Sequence, residues 1–190
     1  MRKTLVATGL AIVGATGVFS TANAIEWDLD VYGVSYHLNP SEANKHAPRD
    51  LRIGERGQTV FNPGIGIGID FRNNPSSNGF SFQTKVGWLQ DCDAKDLYYG
   101  GAGVRWRHIF GKRIAFDVNA LAIAGYGQDW DTKEYNWTLL PYVDVGIGYV
   151  FNVAGRDRVA MLKLAYLPSN SNISATSGTD LLFISLTFGF

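Results

Sequence analysis

Several things this chain of 190 residues lacks narrow what it can be. Cysteine is nearly absent: Cys92 stands alone, which excludes an intramolecular disulfide framework. A basic excess is absent as well. With 17 basic and 17 acidic residues the chain is formally neutral, so it lacks the charge that a nucleic-acid partner would require. Beyond residue 24 no apolar run approaches the roughly 20 residues that a membrane helix needs. Metal-ligand spacing, a phosphate-binding loop and a nucleophile elbow are missing too, so neither a metal nor a cofactor is expected. What is plentiful is glycine, 22 residues, alongside 5 Trp, 9 Tyr and 11 Phe, a composition suited to strands and tight turns and poor in helical periodicity.

Residues 1–24 have the form of an export address. Arg2 and Lys3 open it, an apolar run follows from Leu5 to Val18, and Ala22-Asn23-Ala24 supplies a small-x-small cleavage pattern. Cleavage after Ala24 leaves 166 residues, 25–190, as one domain with 15 basic and 17 acidic groups.

Alternation of period two runs through nearly all of that domain. Phe61, Pro63, Ile65, Ile67, Ile69 and Phe71 share a face against Asn62, Gly64, Gly66, Gly68 and Asp70. Six further segments repeat the pattern: Phe80–Asp91, Tyr98–Arg107, Ile114–Gly125, Tyr142–Phe151, Ala160–Tyr166 and Leu181–Phe190. A first strand near Trp27–Leu38, with a slip around Val31-Tyr32 that suggests a bulge, brings the count to eight. The more apolar face carries aromatics at its ends, and the opposite face carries Gly, Asp, Lys and Arg. A soluble sandwich or barrel needs the reverse. The expected fold is therefore all-β: an eight-stranded antiparallel up-and-down transmembrane β-barrel in the outer membrane of a Gram-negative-type bacterium. Long connections at Asn39–Thr59, Asp91–Asp96, Gln128–Asn136 and Pro168–Asp180 alternate with short ones at Asn73–Gly79, Gly111–Arg113 and Asn152–Asp157. In such barrels the short turns are periplasmic, so the long set faces outside.

That orientation gives each inward residue a height. Gly33, Ser35, Gly64, Gly87, Leu89, Tyr99, Gly101, Leu121, Ile123, Gly125, Ala165, Leu181 and Phe183 belong to the upper lumen. Asp70, Gln83, Lys85, Arg105, Arg107, Asp117, Asn119, Ser185 and Thr187 belong to the lower, with Asp144 and Lys163 between. Eight strands make a bore that is either packed shut or just wide enough for one small ligand. Inward glycines either leave room for a hydrocarbon chain or merely permit tight curvature. On the first view the lining of a lipid-tail site would include Gly64, Gly87, Leu89, Tyr99, Gly101, Ile123 and Phe183. Pro63, Pro141 and Pro168 each remove a backbone donor at the outer end of a strand, where gaps in the wall would admit a tail sideways. His37 and Asp91, both of inward parity, with Cys92 beside Asp91, supply a base, a carboxylate and a thiol at the rim, the residue types of acyl transfer. His46 and His108, and the loop charges Asp129, Asp131, Lys133 and Glu134, read as ordinary interface or solvated groups.

From about Asp28 to Phe190 the chain resembles the lipid A palmitoyltransferase family, eight-stranded outer-membrane barrels that move a phospholipid acyl chain to lipid A. The resemblance rests on Tyr36-His37, Phe61-Asn62-Pro63-Gly64-Ile65-Gly66, Asp91-Cys92 (where the family has Asp-Ser), Gly100-Gly101-Ala102-Gly103, Leu139-Leu140-Pro141, Tyr166-Leu167-Pro168 and the Phe190 ending. Two further departures are Tyr32, where the family can carry a proline, and the lack of residues after Ala24 for an amphipathic N-terminal helix. The resemblance implies a phospholipid donor and a lipopolysaccharide acceptor, and a chain that works as a monomer once the barrel-assembly machinery has inserted it. It further implies His37 as the base that deprotonates the acceptor hydroxyl or the Cys92 thiol, with Asp91 orienting it. The alternative is a non-catalytic barrel that binds a small lipophile or serves a structural role.

Overall fold

The computed structural model describes residues 25–38, 52–53, 59–72, 76–90, 95–128, 134–168 and 180–190. The export signal read in residues 1–24 lies outside them, as do His46, Asp91, Cys92, Asp129, Asp131 and Lys133. Nine strands follow one another: β1 (Ile25–His37), β2 (Arg52–Ile53), β3 (Thr59–Phe71), β4 (Gly79–Gln90), β5 (Asp96–Phe110), β6 (Ile114–Gln128), β7 (Tyr135–Val153), β8 (Arg156–Leu167) and β9 (Leu181–Gly189). Each of the long strands pairs antiparallel with its sequence neighbour, and β1 pairs with both β3 and β9, which closes the sheet. Eight strands thus form a barrel. The two-residue β2, which the sequence pattern did not indicate, lies along the outer end of β3. Closure extends to the last residue, since Trp27 and Phe190 exchange both backbone hydrogen bonds at 2.9 and 2.8 Å.

The faces are those of a membrane barrel. Ile67, Val86 and Val104 on the outer wall are about half exposed, whereas Arg105, Asp70 and Asp117 in the bore are wholly buried. Water outside and hydrocarbon inside would make this arrangement prohibitively costly; lipid outside makes it favourable. Among the described residues no helix is long and apolar enough to cross a membrane, and the crossing is made by strands.

The short connections are as short as the pattern suggests. Gly111 and Lys112, with φ of 55° and 70°, turn β5 into β6; Ala154 and Gly155, at 52° and 79°, turn β7 into β8. The β7–β8 connection is a two-residue hairpin and the β5–β6 connection has three residues, Gly111–Arg113, closed by the Arg113 N–H donating to the Phe110 carbonyl at 3.2 Å. Positive φ at successive turn residues matches the right-handed twist of the flanking strands.

The first strand differs from the pattern in an instructive way. Its pairing with both neighbours shifts between Tyr32 and Val34, so the bulge sits at Gly33, later than the expected Val31-Tyr32. Opposite it, β3 contributes an additional residue at Asn62-Pro63. A bulge in a strand reverses which parity faces inward. Before it Glu26, Asp28, Asp30 and Tyr32 point into the bore; after it Ser35 and His37 do.

Candidate functional site: a divided lumen

The lower lumen is a layer of ion pairs. Arg107 grips Asp117 with two parallel hydrogen bonds of 2.7 and 2.9 Å and reaches Glu26 at 2.9 Å. Arg105 donates to Asp70 at 2.8 Å, to Asn119 at 2.9 Å and to Asp28. Lys85 pairs with Asp30 at 2.7 Å, and Thr187 donates to the same carboxylate. Arg72 joins Asp70 to the β3–β4 turn, donating to the Ser77 carbonyl at 2.8 Å and to Ser81 at 2.9 Å. The guanidiniums suit this duty because their planar forks satisfy several carboxylate oxygens at once. Glu26, Asp28 and Asp30, half of the acids involved, were missing from the inward set read from the sequence, because the Gly33 bulge hides their parity.

One side of the layer is less complete. Lys163 stands 3.9 Å from Asp144, beyond hydrogen-bonding reach, and its ammonium has no hydrogen-bond partner. One Asp144 oxygen accepts from Asn119, while the other is unpartnered, as is the Tyr142 hydroxyl.

Above the ions the bore turns apolar. Val60, Leu89, Leu97, Leu121, Leu140, Leu167, Leu181 and Phe183 form one buried cluster. A narrow cavity of about 40 Å³ opens between Leu89, Leu97, Leu121, Ile123, Leu140, Leu167 and Phe183. Its polar side is made by Tyr32, Tyr99, Tyr142 and Lys85. Of the residues expected to line a lipid-tail site, Leu89, Tyr99, Ile123 and Phe183 do line this cavity, and Gly64, Gly87 and Gly101 do not.

The glycines have a different duty from leaving space. The Tyr32 and Tyr99 hydroxyls meet at 2.6 Å, a bond thrown across the bore between strands that are not neighbours. Between them lie β3 and β4, where a Cβ on Gly66 would come within 2.3 Å of the Tyr99 hydroxyl and one on Gly87 within 2.4 Å. The two glycines form a bed for the Tyr99 phenol. Gly64 and Gly101 are likewise occupied, by Leu89 Cβ at 2.5 Å and Ile123 Cγ2 at 2.6 Å from where a Cβ would stand. Of the two readings of the inward glycines, the one that leaves unfilled room fails at Gly64, Gly66, Gly87 and Gly101, where neighbouring side chains fill it, while Gly125 does line the cavity.

At the rim His37 is buried and points inward, as its parity suggested. It pairs across the ladder with Leu181, whose next inward neighbour, Phe183, lines the cavity. One inward position below His37, Ser35 donates to the Asn62 side chain, which in turn donates to the Gln90 carbonyl at 2.9 Å. The sequence pattern set Asn62 on the face of Asp70 but gave it no role, although its inward parity beside Pro63 was a usable signal. Asp91 and Cys92 are outside the described residues, so among the expected catalytic trio only His37 has a described position.

The prolines stand at interruptions of the ladders. Pro63 lies in the β1–β3 irregularity and just above the first β3–β4 pair, Gly64 with Leu89. Pro141 sits in the outer arm of β7, which pairs with β6 as far as Tyr135, whereas the described β7–β8 pairing begins only at Val143. Pro168 directly follows β8.

No family model matches the sequence, and no curated protein matches it either. Among solved structures the chain is similar to Neisserial surface protein A from Neisseria, with a TM-score of 0.51 at 12% identity over 87% of this chain and 94% of that one. It is an outer-membrane-type barrel. Ail, the attachment invasion locus protein of Yersinia pestis, matches at a TM-score of 0.46 and 9% identity over 88% of this chain and 97% of that one. The N-terminal β-barrel domain of OprF from Pseudomonas aeruginosa follows at 0.44 and 10%, over 87% and 97%. At such identities the likeness is one of fold alone.

Proposed function

We propose that the barrel takes a lipid acyl chain into its apolar upper lumen and transfers it from a phospholipid to lipid A. The observation that carries this reading is the apolar side of the cavity, between Leu89, Ile123 and Phe183, with the buried His37 above it on the β1–β9 seam. Buried apolar walls favour a hydrocarbon tail over any polar ligand. A base held at the mouth of such a cavity stands where the ester of an inserted chain would lie. His37 takes the proton of the acceptor hydroxyl, or of Cys92 if a thioester forms first, and Asp91 orients the imidazole. Pro63, and Pro141 with Pro168, flank the places where a tail would pass through the wall. Transesterification of this kind consumes one ester and makes another, so it needs neither metal nor nucleotide.

A second reading is favoured by one observation. The Tyr32–Tyr99 bond and the small free volume describe a bore that is nearly packed, as a non-catalytic structural barrel requires. Mass spectrometry of lipid A from cells that express the intact chain or His37→Ala separates the two. An added acyl chain that depends on His37 supports transfer. Lipid A unchanged by a folded, membrane-inserted wild-type chain would leave the structural reading. Within the first reading, Cys92→Ser should keep substantial activity and Cys92→Ala should lose most of it; full activity in Cys92→Ala would make the thiol a bystander.

A further inference from the structure

Four cations cluster at one edge of the described wall. Arg156 and Arg158 share the outward parity of β8, opposite Val153 and Phe151 of β7. Arg113 leaves the β5–β6 turn and donates to the outward Tyr149 hydroxyl at 2.8 Å. Lys112 is exposed beside it. The three turns and strand ends are contiguous, because Ile114 pairs with Tyr149 and Tyr149 with Ala160. The one nearby acid, Asp157, has the opposite parity and accepts from Asn152 at 3.1 Å. None of the four cations is in an ion pair among the described residues. At the other edge of the barrel the outward-facing described residues include Tyr36, Phe61, Trp88, Asp96, Tyr98, Trp137 and Tyr166, with Lys95, directly before β5, as a lone exposed cation among them.

We infer that this β6–β8 corner of the periplasmic rim is a binding site for the phosphodiester headgroup of an anionic phospholipid in the inner leaflet. The aromatic belt sets the height: on the adjacent β5, His108 lies between Trp106 and Phe110, at ring distances of 5.9 and 4.4 Å. Aromatic rings of this kind sit at headgroup level. Guanidiniums at the same level meet phosphate oxygens in pairs, and Tyr149 holds one of them in place beforehand. Four uncompensated cations on a small arc favour a headgroup with net negative charge, such as phosphatidylglycerol, over a zwitterionic one. The site is separate from the lumen, and its test does not depend on acyl transfer.

The test uses the full mature chain in detergent, titrated with phosphatidylglycerol or phosphatidylethanolamine of identical chains and read by native mass spectrometry. The wild type should retain phosphatidylglycerol about tenfold better. The triple variant Arg113→Gln, Arg156→Gln, Arg158→Gln should bring the ratio near one while still showing the heat-dependent electrophoretic shift of a folded barrel. Lys95→Gln, at the opposite edge, should leave the ratio as it was. Equal retention by the wild type, or a preference that survives in the folded triple variant, overturns the assignment. So does displacement of the lipid by an equal concentration of inorganic phosphate, which would make the corner a free-anion site.

Discussion

In the lower bore Arg105 meets Asp28, Asp70 and Asn119, and each partner is held in turn by its own strand. A few residues higher Leu121, Leu140 and Phe183 meet chiefly other apolar side chains. Both regions are buried, yet their energetics differ in kind. The upper region is held by non-directional burial and tolerates changes of shape by repacking. The lower one is held by directional pairs, each of which is costly only when a partner is removed. A second contrast lies within the charged layer itself. Around Arg105 and Arg107 nearly every donor is used, whereas Lys163 lacks an acceptor, so the cations are held tightly under β1 to β6 and loosely under β7 and β8, although single oxygens of Asp28, Asp70 and Gln83 lack a hydrogen bond on the tight side too.

The largest effect should come from breaking the tight side. Arg105→Met strands the Asp28 carboxylate, leaves Asp70 with Arg72 alone, and should destabilise the barrel by about 3–5 kcal/mol. Urea unfolding in lipid vesicles, followed by tryptophan fluorescence, would show it, and an unchanged midpoint would mean that the carboxylates find other partners. Next comes the boundary between the regions. Gly66→Ala places a methyl where the Tyr99 hydroxyl lies and should cost about 1–3 kcal/mol by overpacking. Combined with Tyr99→Ala, the same change should cost almost nothing further. Additive costs in that double variant would refute the idea that Gly66 exists to seat Tyr99. The smallest effect belongs to the loose side. Replacing both Asp144 by Asn and Lys163 by Met should alter stability by no more than about 1 kcal/mol, because little well-formed pairing is lost. A loss as large as that of Arg105→Met would show that water completes the Lys163 contacts and that the two sides are equally tight.

Most of the barrel was legible as alternation. Asp70, Gln83, Lys85, Arg105, Arg107, Asp117, Asn119, Asp144 and Lys163 were assigned to the bore from parity alone, and all are buried there. In a strand the side-chain period is exact, so a regular ladder leaves parity no freedom. The reading failed where the ladder is irregular. A single extra residue at Gly33 reversed the face of everything before it, and Glu26, Asp28 and Asp30 went unseen although their spacing is as regular as any other. Leu97 and Leu140 were overlooked for a simpler reason: they lie at the outer ends of β5 and β7, where strand limits are least marked in the sequence; Tyr142 was set on the face of Asp144 but given no height. The site was legible in part. His37 is where its parity placed it, and four of the seven proposed lining residues reach the cavity.

By itself the sequence determined most of the topology: which segments are the eight long strands, which face of each regular strand meets lipid, and which connections are short. Those follow from local physics, since alternation, turn glycines and aromatic ends are properties of neighbouring residues. The tertiary structure alone decided what the inward residues do to one another. Whether Gly66 and Gly87 are empty space or a bed for a tyrosine depends on Tyr99, which a closed barrel brings over them from another strand. Whether Lys163 is as well paired as Lys85 depends on distances across the bore. Such distances are fixed by the shear and closure of the whole sheet, quantities that no single strand carries.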